Sequence, residues 1–175
     1  ALEKEGYEVT YLEVDEMGLI SLEALEAAIR PTTVLVSIMF INNEIGTMQS
    51  IAKIAEIAHK HNVLFHTDAV QAYGNIDIDV NRLGIDLMSV SSHKIYGPKG
   101  VGALYIKKGI RIENLIEGGA QEKNRRAGTE NLPGIMGFAK AAELAYAGLE
   151  AHVEKLTTLR ERLVKGILET IDYVK

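Results

Sequence analysis

Short apolar segments alternate with amphipathic helical segments through the middle of this chain, and this alternation constrains the fold most strongly. Residues 34–40 are almost entirely apolar, residues 51–60 carry apolar side chains at helical spacing, and residues 63–67 begin with the apolar run Val63, Leu64 and Phe65. Residues 86–90 form a last apolar segment before the chain turns polar. Short strands separated by amphipathic helices are typical of a layered α/β domain, so we predict that architecture with a mainly parallel sheet.

The remaining elements are predicted from two spacings of apolar side chains: alternate residues for a strand and every third or fourth residue for a helix. Alternating apolar residues predict a strand over residues 8–14, and residues 100–106 predict a strand that returns beside residues 86–90. Residues 34–40 are expected to be buried on both faces of the sheet. Helical spacing predicts further helices over residues 22–29 (capped by Ser21), 133–149 and 151–170.

Composition excludes several classes of function. The chain has 175 residues, a net charge of −5 and no cysteine. The acidic balance gives no reason to propose nucleic acid or an anionic membrane as a partner. No apolar run approaches the ~20 residues of a membrane span, and a cytoplasmic location is compatible with this. Without cysteine, disulfides, thiolate metal sites and cysteine nucleophiles are excluded within this chain.

A polar cluster follows the apolar strand of residues 86–90. Ser91, Ser92, His93 and Lys94 come in succession, and Gly97 with Pro98 then breaks the chain. Polar groups at the end of a buried strand are costly unless they have partners. A phosphorylated aldehyde cofactor would provide them, since a lysine can bond to the aldehyde while hydroxyl and imidazole groups hold the phosphate. For this run alone, a strand that ends in a solvated turn explains the pattern equally well.

Polar side chains at other strand ends favour the cofactor. Asn43, Asp68, Gln71 and Lys94 each follow the carboxyl end of a predicted strand. Ligands of parallel α/β sheets bind at those ends, so the four residues predict one site. Asp68 beside a pyridine nitrogen would keep that nitrogen protonated, and a protonated ring can accept electrons. Gln71, expected in a helical first turn with Asp68, would donate to the phenolic oxygen.

The other candidates have compatible chemistry. Lys94, with an ordinary pKa near ~10.4, becomes a usable base when its amine is stored covalently and released by substrate. His93 could hold a phosphate or stack on a ring, and Asn43 could reach a ring oxygen or a substrate carboxylate. Thr129 lies in a basic loop that suits an anion. No nucleotide-binding glycine loop is present, and His66 with Asp68 lacks a third ligand for a metal.

Four motifs occur in an order that resembles the class V aminotransferase group of pyridoxal phosphate enzymes, most closely the NifS/IscS-type cysteine desulfurases. The resemblance covers essentially the whole chain, and the spacing of Asp68 and Lys94 is also similar to that family. The motifs are residues 36–39 with 42–47, 66–71 (His-Thr-Asp-Ala-Val-Gln), 91–100 (Ser-Ser-His-Lys-Ile-Tyr-Gly-Pro-Lys-Gly) and 126–131 (Arg-Ala-Gly-Thr-Glu-Asn).

The resemblance implies a fold and a domain organisation. It implies a three-layer αβα domain with a mainly parallel sheet, the large cofactor-binding domain of a fold type I pyridoxal phosphate enzyme. Residues 1–150 would form the central part of that domain. Residues 151–175 would form a connecting helix toward a small carboxyl-terminal domain outside this chain.

The resemblance also implies a role for each candidate residue. Lys94 would be the Schiff-base lysine and the acid–base group at the substrate Cα. Asp68 would pair with the pyridinium nitrogen and Gln71 with the phenolic oxygen, while Asn43 would orient cofactor and substrate. The phosphate would be bound by Ser91 and His93, and by Thr129 from the neighbouring subunit of a homodimer.

The implied activity converts L-cysteine to L-alanine and passes sulfur, as a persulfide, toward an iron–sulfur scaffold or another acceptor protein. The family's sulfur-accepting cysteine, cofactor-stacking histidine and substrate-binding arginine fall outside these residues, so we expect this polypeptide alone to be inactive. Two alternatives stay open: another class V enzyme such as a selenocysteine lyase, and a non-catalytic scaffold or dimerisation fragment.

Overall fold

A computed structural model describes residues 2–114 and 116–174, and it contains one four-stranded sheet in the order β1-β2-β3-β4. The strands are β1 (Leu35–Met39), β2 (Leu64–Asp68), β3 (Leu87–Ser91) and β4 (Gly102–Ile106). The helices are α1 (Leu22–Ala28), α2 (Ile51–Lys60), α3 (Gln121–Asn124), α4 (Leu132–Ala147) and α5 (Leu149–Thr170). Two 3-10 helices, Leu2–Glu5 and Ser92–Ile95, complete the described elements.

The pairing of the strands brings three carboxyl ends to one edge of the sheet. β1, β2 and β3 run parallel, and Met39 pairs with Asp68, which pairs with Ser89. β4 is antiparallel to β3, with Gly102 opposite Ser91. The predicted mainly parallel sheet and the predicted return strand are therefore confirmed.

Helices α1 and α2 supply the core on one face of the sheet. The Ser21 side chain accepts a hydrogen bond from the Ala24 N–H, which satisfies a free donor in the first turn of α1, as predicted. The apolar face predicted for α2 is buried against Phe65 of β2. Its buried side chains are Ile51, Ile54, Ala55 and Ala58.

The opposite face of the sheet is partly open, and this corrects one expectation. Leu35 is 41% exposed and Ser37 is also exposed, so β1 is not buried on both faces. Leu64 and Leu104 on the same face are 37% and 46% exposed. β1 has a hydrogen-bonded neighbour on one side only within the described residues. An apolar run predicts the strand, but its burial depends on partners that the run itself does not specify.

Two further expectations fail for the same reason. Residues 8–14 form no strand; Val14 makes one isolated bridge with Ile20. The apolar side chains whose helical spacing predicts α5 are exposed, and α5 buries no described residue.

α4 begins at Leu132 because the Asn131 side chain accepts from the Gly134 N–H. Within residues 2–114 and 116–174, no helix is both long and apolar enough to cross a bilayer.

Asp86 anchors the amino end of β3, at the far end of the sheet from Asp68. The carboxylate is 3% exposed. It lies 2.6 Å from His59 Nε2 and 3.0 Å from Lys107 Nζ, and accepts from the Phe65 N–H at 3.0 Å. Burial alone would raise the pKa of Asp86, but these hydrogen bonds outweigh burial and hold the pKa below its ordinary value. Asp86 therefore links α2, β2 and the end of β4.

We predict that Asp86→Asn lowers the free energy of unfolding by about 2 kcal/mol at pH 7, because a neutral amide weakens the charge-assisted hydrogen bonds with Lys107, His59 and the Phe65 N–H. A lowered native pKa stabilises the fold fully above the ordinary carboxyl pKa of ~3.9. The stabilisation is lost as the pH falls through the native value, so the difference between the two proteins should shrink below about pH 4.

Urea unfolding at pH 7 and in acid measures this difference. Asp77→Asn, at the exposed pair with Arg82, is the matched control and should have little effect. An Asp86→Asn protein as stable as the parent at pH 7 would contradict the assignment.

Candidate active site

Asp68 is the last residue of β2 and lies at the edge where the three parallel strands end. It therefore belongs to the strand, one residue earlier than the predicted position beyond it. Asp68 Oδ1 accepts from the Val70 N–H at 2.9 Å. No hydrogen bond within the described part of the chain involves Oδ2. The half-buried carboxylate thus has one oxygen fixed and the other available to a ligand.

Gln71 lies in the turn after β2 and is half-buried. The predicted helical turn shared with Asp68 is present as a single turn, which the Asp68 carboxylate caps at the Val70 N–H and in which the Tyr73 N–H donates to the Ala69 carbonyl at 2.8 Å; it does not extend into a helix. The Asn75 side chain donates to the Gln71 carbonyl at 3.0 Å and holds this turn from below. Gln71 remains on the Asp68 side of the sheet edge, three residues beyond the carboxylate.

The end of β3 delivers Ser91, His93 and Lys94. Ser91 is the last strand residue, and its Oγ lies 2.7 Å from His93 Nδ1. His93 and Lys94 lie in the 3-10 helix Ser92–Ile95 and are exposed. The helix ends at Tyr96, whose φ of 64° is left-handed. A hydroxyl, an imidazole and an amine therefore leave the sheet together beside Asp68.

Asn43 lies in a loop that β1 places at the same edge. An isolated bridge between Ile41 and Met48 closes the loop. Its shape is held by Asn42, whose Oδ1 accepts from the N–H groups of Glu44 and Ile45 at 2.8 and 3.1 Å. Asn42 thus has a structural role, and the neighbouring Asn43 side chain is exposed.

Thr129 is not linked to the other candidates within the chain. It is exposed in the segment between α3 and α4, and no hydrogen bond of the described residues connects it to Asp68, Ser91 or Lys94. The structure therefore brings the ends of β1, β2 and β3 together at one edge, whereas Thr129 comes from the separate segment between α3 and α4.

A cavity of about 380 Å³ lies beside this edge rather than within it. Among the candidate residues Lys94 alone lines the cavity, together with Tyr96 and His152. The rest of its lining comes largely from the small and apolar residues Gly74, Ala141, Leu144, Ala145 and Gly148. Since Asp68, Gln71, Ser91 and His93 do not line it, the candidate site is the open sheet edge and not this cavity.

His66 is a residue that sequence reasoning missed. It was considered only as a metal ligand, whereas its two ring nitrogens contact Ser37 Oγ of β1 and Ser89 Oγ of β3. The available signal was the position of His66 in the motif of residues 66–71, but only the strand register brings the two serines to it. In the described residues, no group of three or more His, Cys, Asp or Glu side chains could hold a metal ion.

The whole chain matches one protein family. The family model described as aminotransferase class V matches residues 1–175.

Curated relatives agree with this match. A protein named cysteine desulfurase IscS from Clostridium botulinum (strain Hall) is 57% identical over 174 residues, covering 99% of this chain and 44% of the relative. The protein of that name from Methanosarcina thermophila is 57% identical over 168 residues, covering 96% of this chain and 42% of the relative. The chain thus spans less than half the length of these relatives.

Solved structures share the fold. A NifS-like protein superposes with a TM-score of 0.92 at 44% identity, over 96% of this chain and 47% of the other. A structure described as SspA in complex with cysteine gives a TM-score of 0.79 at 47% identity, over 81% of this chain and 42% of the other. The predicted fold class and the predicted resemblance to NifS/IscS-type proteins are confirmed.

The turn after Lys94 gives a prediction about packing. A Cβ on Gly97 would lie 2.1 Å from Ser92 Oγ and 3.0 Å from the Ser92 carbonyl oxygen. Ser92 is fully buried, so it has little room to move. We expect Gly97→Ala to lower the free energy of unfolding by about 1–3 kcal/mol through overpacking.

Gly166→Ala is the matched control, since nothing lies within 4 Å of the added Cβ in α5. There the substitution should raise stability by up to about 1 kcal/mol through helix propensity. Thermal unfolding of both variants checks the pair, and a Gly97→Ala protein as stable as the Gly166→Ala protein would contradict the packing.

Proposed function

Because the chain belongs to the class V aminotransferase family, we propose that it forms the cofactor-binding part of a pyridoxal phosphate-dependent cysteine desulfurase. The observation that carries the proposal is the adjacency of β2 and β3, since β2 ends at Asp68 and Lys94 follows the end of β3 in the 3-10 helix Ser92–Ile95. The names of the curated relatives support the reaction. Residues 1–150 would belong to the large domain, with residues 151–175 as a connecting helix.

The uncommitted groups at this edge suit pyridoxal phosphate. Asp68 Oδ2 is available to a cationic ring nitrogen, and the Lys94 amine makes no ion pair within the described residues. Ser91 and His93 present a hydroxyl and an imidazole that already lie together, as donors to an anion would. When bound, the cofactor supplies an aldehyde for covalent attachment and a ring that withdraws electrons from the substrate Cα.

Each residue of the chain then has a defined task. Lys94 would bind the aldehyde carbon and, once displaced, would remove or return the proton at the substrate Cα. Asp68 would keep the ring nitrogen protonated by ion pairing, and Gln71 would donate to the phenolic oxygen. Asn43 orients the ring and substrate from the β1 side. The phosphate would be held by Ser91 and His93, and Thr129 would serve the neighbouring subunit of a homodimer.

The reaction conserves atoms without an added oxidant. L-cysteine and an acceptor thiol give L-alanine and a persulfide on the acceptor. The accepting thiol must lie outside these 175 residues, since none of them is cysteine. We therefore expect the isolated chain to bind cofactor without turning over cysteine, and an iron–sulfur scaffold or another acceptor protein to receive the sulfur.

The bound cysteine named for the SspA structure favours cysteine as substrate over selenocysteine. Alanine release by the complete enzyme from the two amino acids distinguishes them. Faster release from cysteine would support the proposal, and activity on selenocysteine alone would contradict it.

We predict that Lys94→Ala abolishes covalent attachment of pyridoxal phosphate, because Lys94 is the first lysine after the carboxyl end of β3. Borohydride reduction followed by peptide mass mapping should locate the label on Lys94 in the parent chain. Lys99→Ala, which removes an exposed lysine of the same turn, is the control and should keep the label. A label retained in Lys94→Ala would remove Lys94 from its role.

We predict that Asp68→Asn lowers the pKa of the bound ring nitrogen by about 1–3 units, because a neutral amide cannot stabilise the cationic form as a carboxylate does. A pH titration of the visible absorbance measures this pKa in the reconstituted chain. Asp77→Asn, at an exposed carboxylate that is already paired with Arg82, should leave the titration unchanged. An unchanged titration in Asp68→Asn would exclude Asp68 as the partner of that nitrogen.

A further inference from the structure

His66 lies at the centre of a hydrogen-bonded chain that crosses three strands. Ser37 Oγ of β1 lies 2.8 Å from His66 Nδ1, and Ser89 Oγ of β3 lies 2.9 Å from His66 Nε2. A contact at each ring nitrogen fixes the plane of the imidazole. Asp68 is two residues further along β2, so its side chain shares the same face of the sheet.

The same strands hold the backbone around Asp68. The Phe40 N–H donates to the Asp68 carbonyl at 2.8 Å, and the Ala69 N–H donates to the Ser89 carbonyl at 2.9 Å. Within the described residues the carboxylate itself makes one bond, from the Val70 N–H to Oδ1. The direction of Oδ2 therefore depends on how β1, β2 and β3 are spaced, and the side chains of Ser37, His66 and Ser89 bridge those three strands.

The neutral state of the His66 imidazole also suits its position near the Asp68 carboxylate. Burial holds the pKa of His66 below its ordinary value, and the nearby negative charge of Asp68 offsets this only in part. The imidazole is accordingly neutral at pH 7, where one ring nitrogen donates to a serine and the other accepts from a serine. A neutral neighbour leaves the Asp68 charge available to a cationic partner, with which an imidazolium would compete.

We propose that His66 is a positioning residue that acts through Ser37 and Ser89 to hold the Asp68 carboxylate in place at the site. The cofactor nitrogen as the partner of that carboxylate rests on the proposed function above, whereas the hydrogen bonds that tie the strands together do not need the cofactor. The positioning role of His66 and the cofactor-binding function can therefore fail separately.

The experiment compares His66→Leu, which removes both hydrogen bonds, with His66→Gln, which keeps a donor and an acceptor. His61→Leu, at an exposed histidine beyond α2, is the control for losing an imidazole. Amide hydrogen exchange is measured in the cofactor-free chain. The affinity for pyridoxal phosphate, and the pH titration of the visible absorbance band of the bound cofactor, are measured in the reconstituted chain.

We expect His66→Leu to speed exchange of the Ala69 and Val70 amides about tenfold while the amides of α2 exchange as in the parent chain. Cofactor affinity should fall about tenfold with a shifted titration, as when supporting contacts of a bound group are lost. His66→Gln should recover most of each effect, and His61→Leu should show none.

Unchanged exchange at Ala69 and Val70 in folded His66→Leu would overturn the proposal, and so would equal acceleration in α2, which would mean a general loss of stability. If His66→Leu does not fold, Ser37→Ala is judged by the same readouts, since it removes one bond at an exposed residue of the outer strand β1. If the parent chain binds no cofactor but His66→Leu still speeds exchange at Ala69 and Val70 alone, the result contradicts the proposed function and supports the tie between the strands.

Discussion

The parallel register of β1, β2 and β3 is the constraint on which the rest of the site depends. Met39, Asp68 and Ser89 lie side by side, so the segments that leave the three strands start from one edge. A one-residue slip of β2 would turn Asp68 toward the core and bring Thr67 to its place, because successive side chains point to opposite faces. Asn43, Gln71 and Lys94 would no longer share a site with a carboxylate.

Two aspartates at opposite ends of the sheet show how its contacts give a carboxylate either a structural or a ligand-binding role. Asp86 is buried and fully engaged by His59, Lys107 and the Phe65 N–H. Asp68 is half-buried and keeps one oxygen uncommitted. The first carboxylate stabilises the junction of α2, β2 and β4, and the second can bind a ligand. Both are predicted near strands by sequence, but only their contacts distinguish the two roles.

Local periodicity was sufficient to predict the elements that carry the site. Apolar side chains of α2 and the short strands around Asp68 and Lys94 follow patterns contained within a few residues. Burial was harder to predict, since Leu35 and the stripe of α5 are apolar yet exposed in this chain. The turn at Gln71 was predicted, but it stays a single turn and does not extend into a helix.

His66 illustrates what sequence could not reveal. Its serine partners are 29 and 23 residues away along the chain, and only strand pairing makes them neighbours. The family resemblance, in contrast, rests on motifs that are contiguous in sequence and was confirmed over residues 1–175. Contiguous motifs identify a family, while supporting contacts between strands require the fold.

The most direct test of the account is a crystal structure of the chain with pyridoxal phosphate. The account predicts a ring nitrogen within hydrogen-bond distance of Asp68 Oδ2, with the phosphate beside Ser91 and His93. Cofactor bound instead in the cavity lined by Tyr96 and His152, away from Asp68, would contradict it.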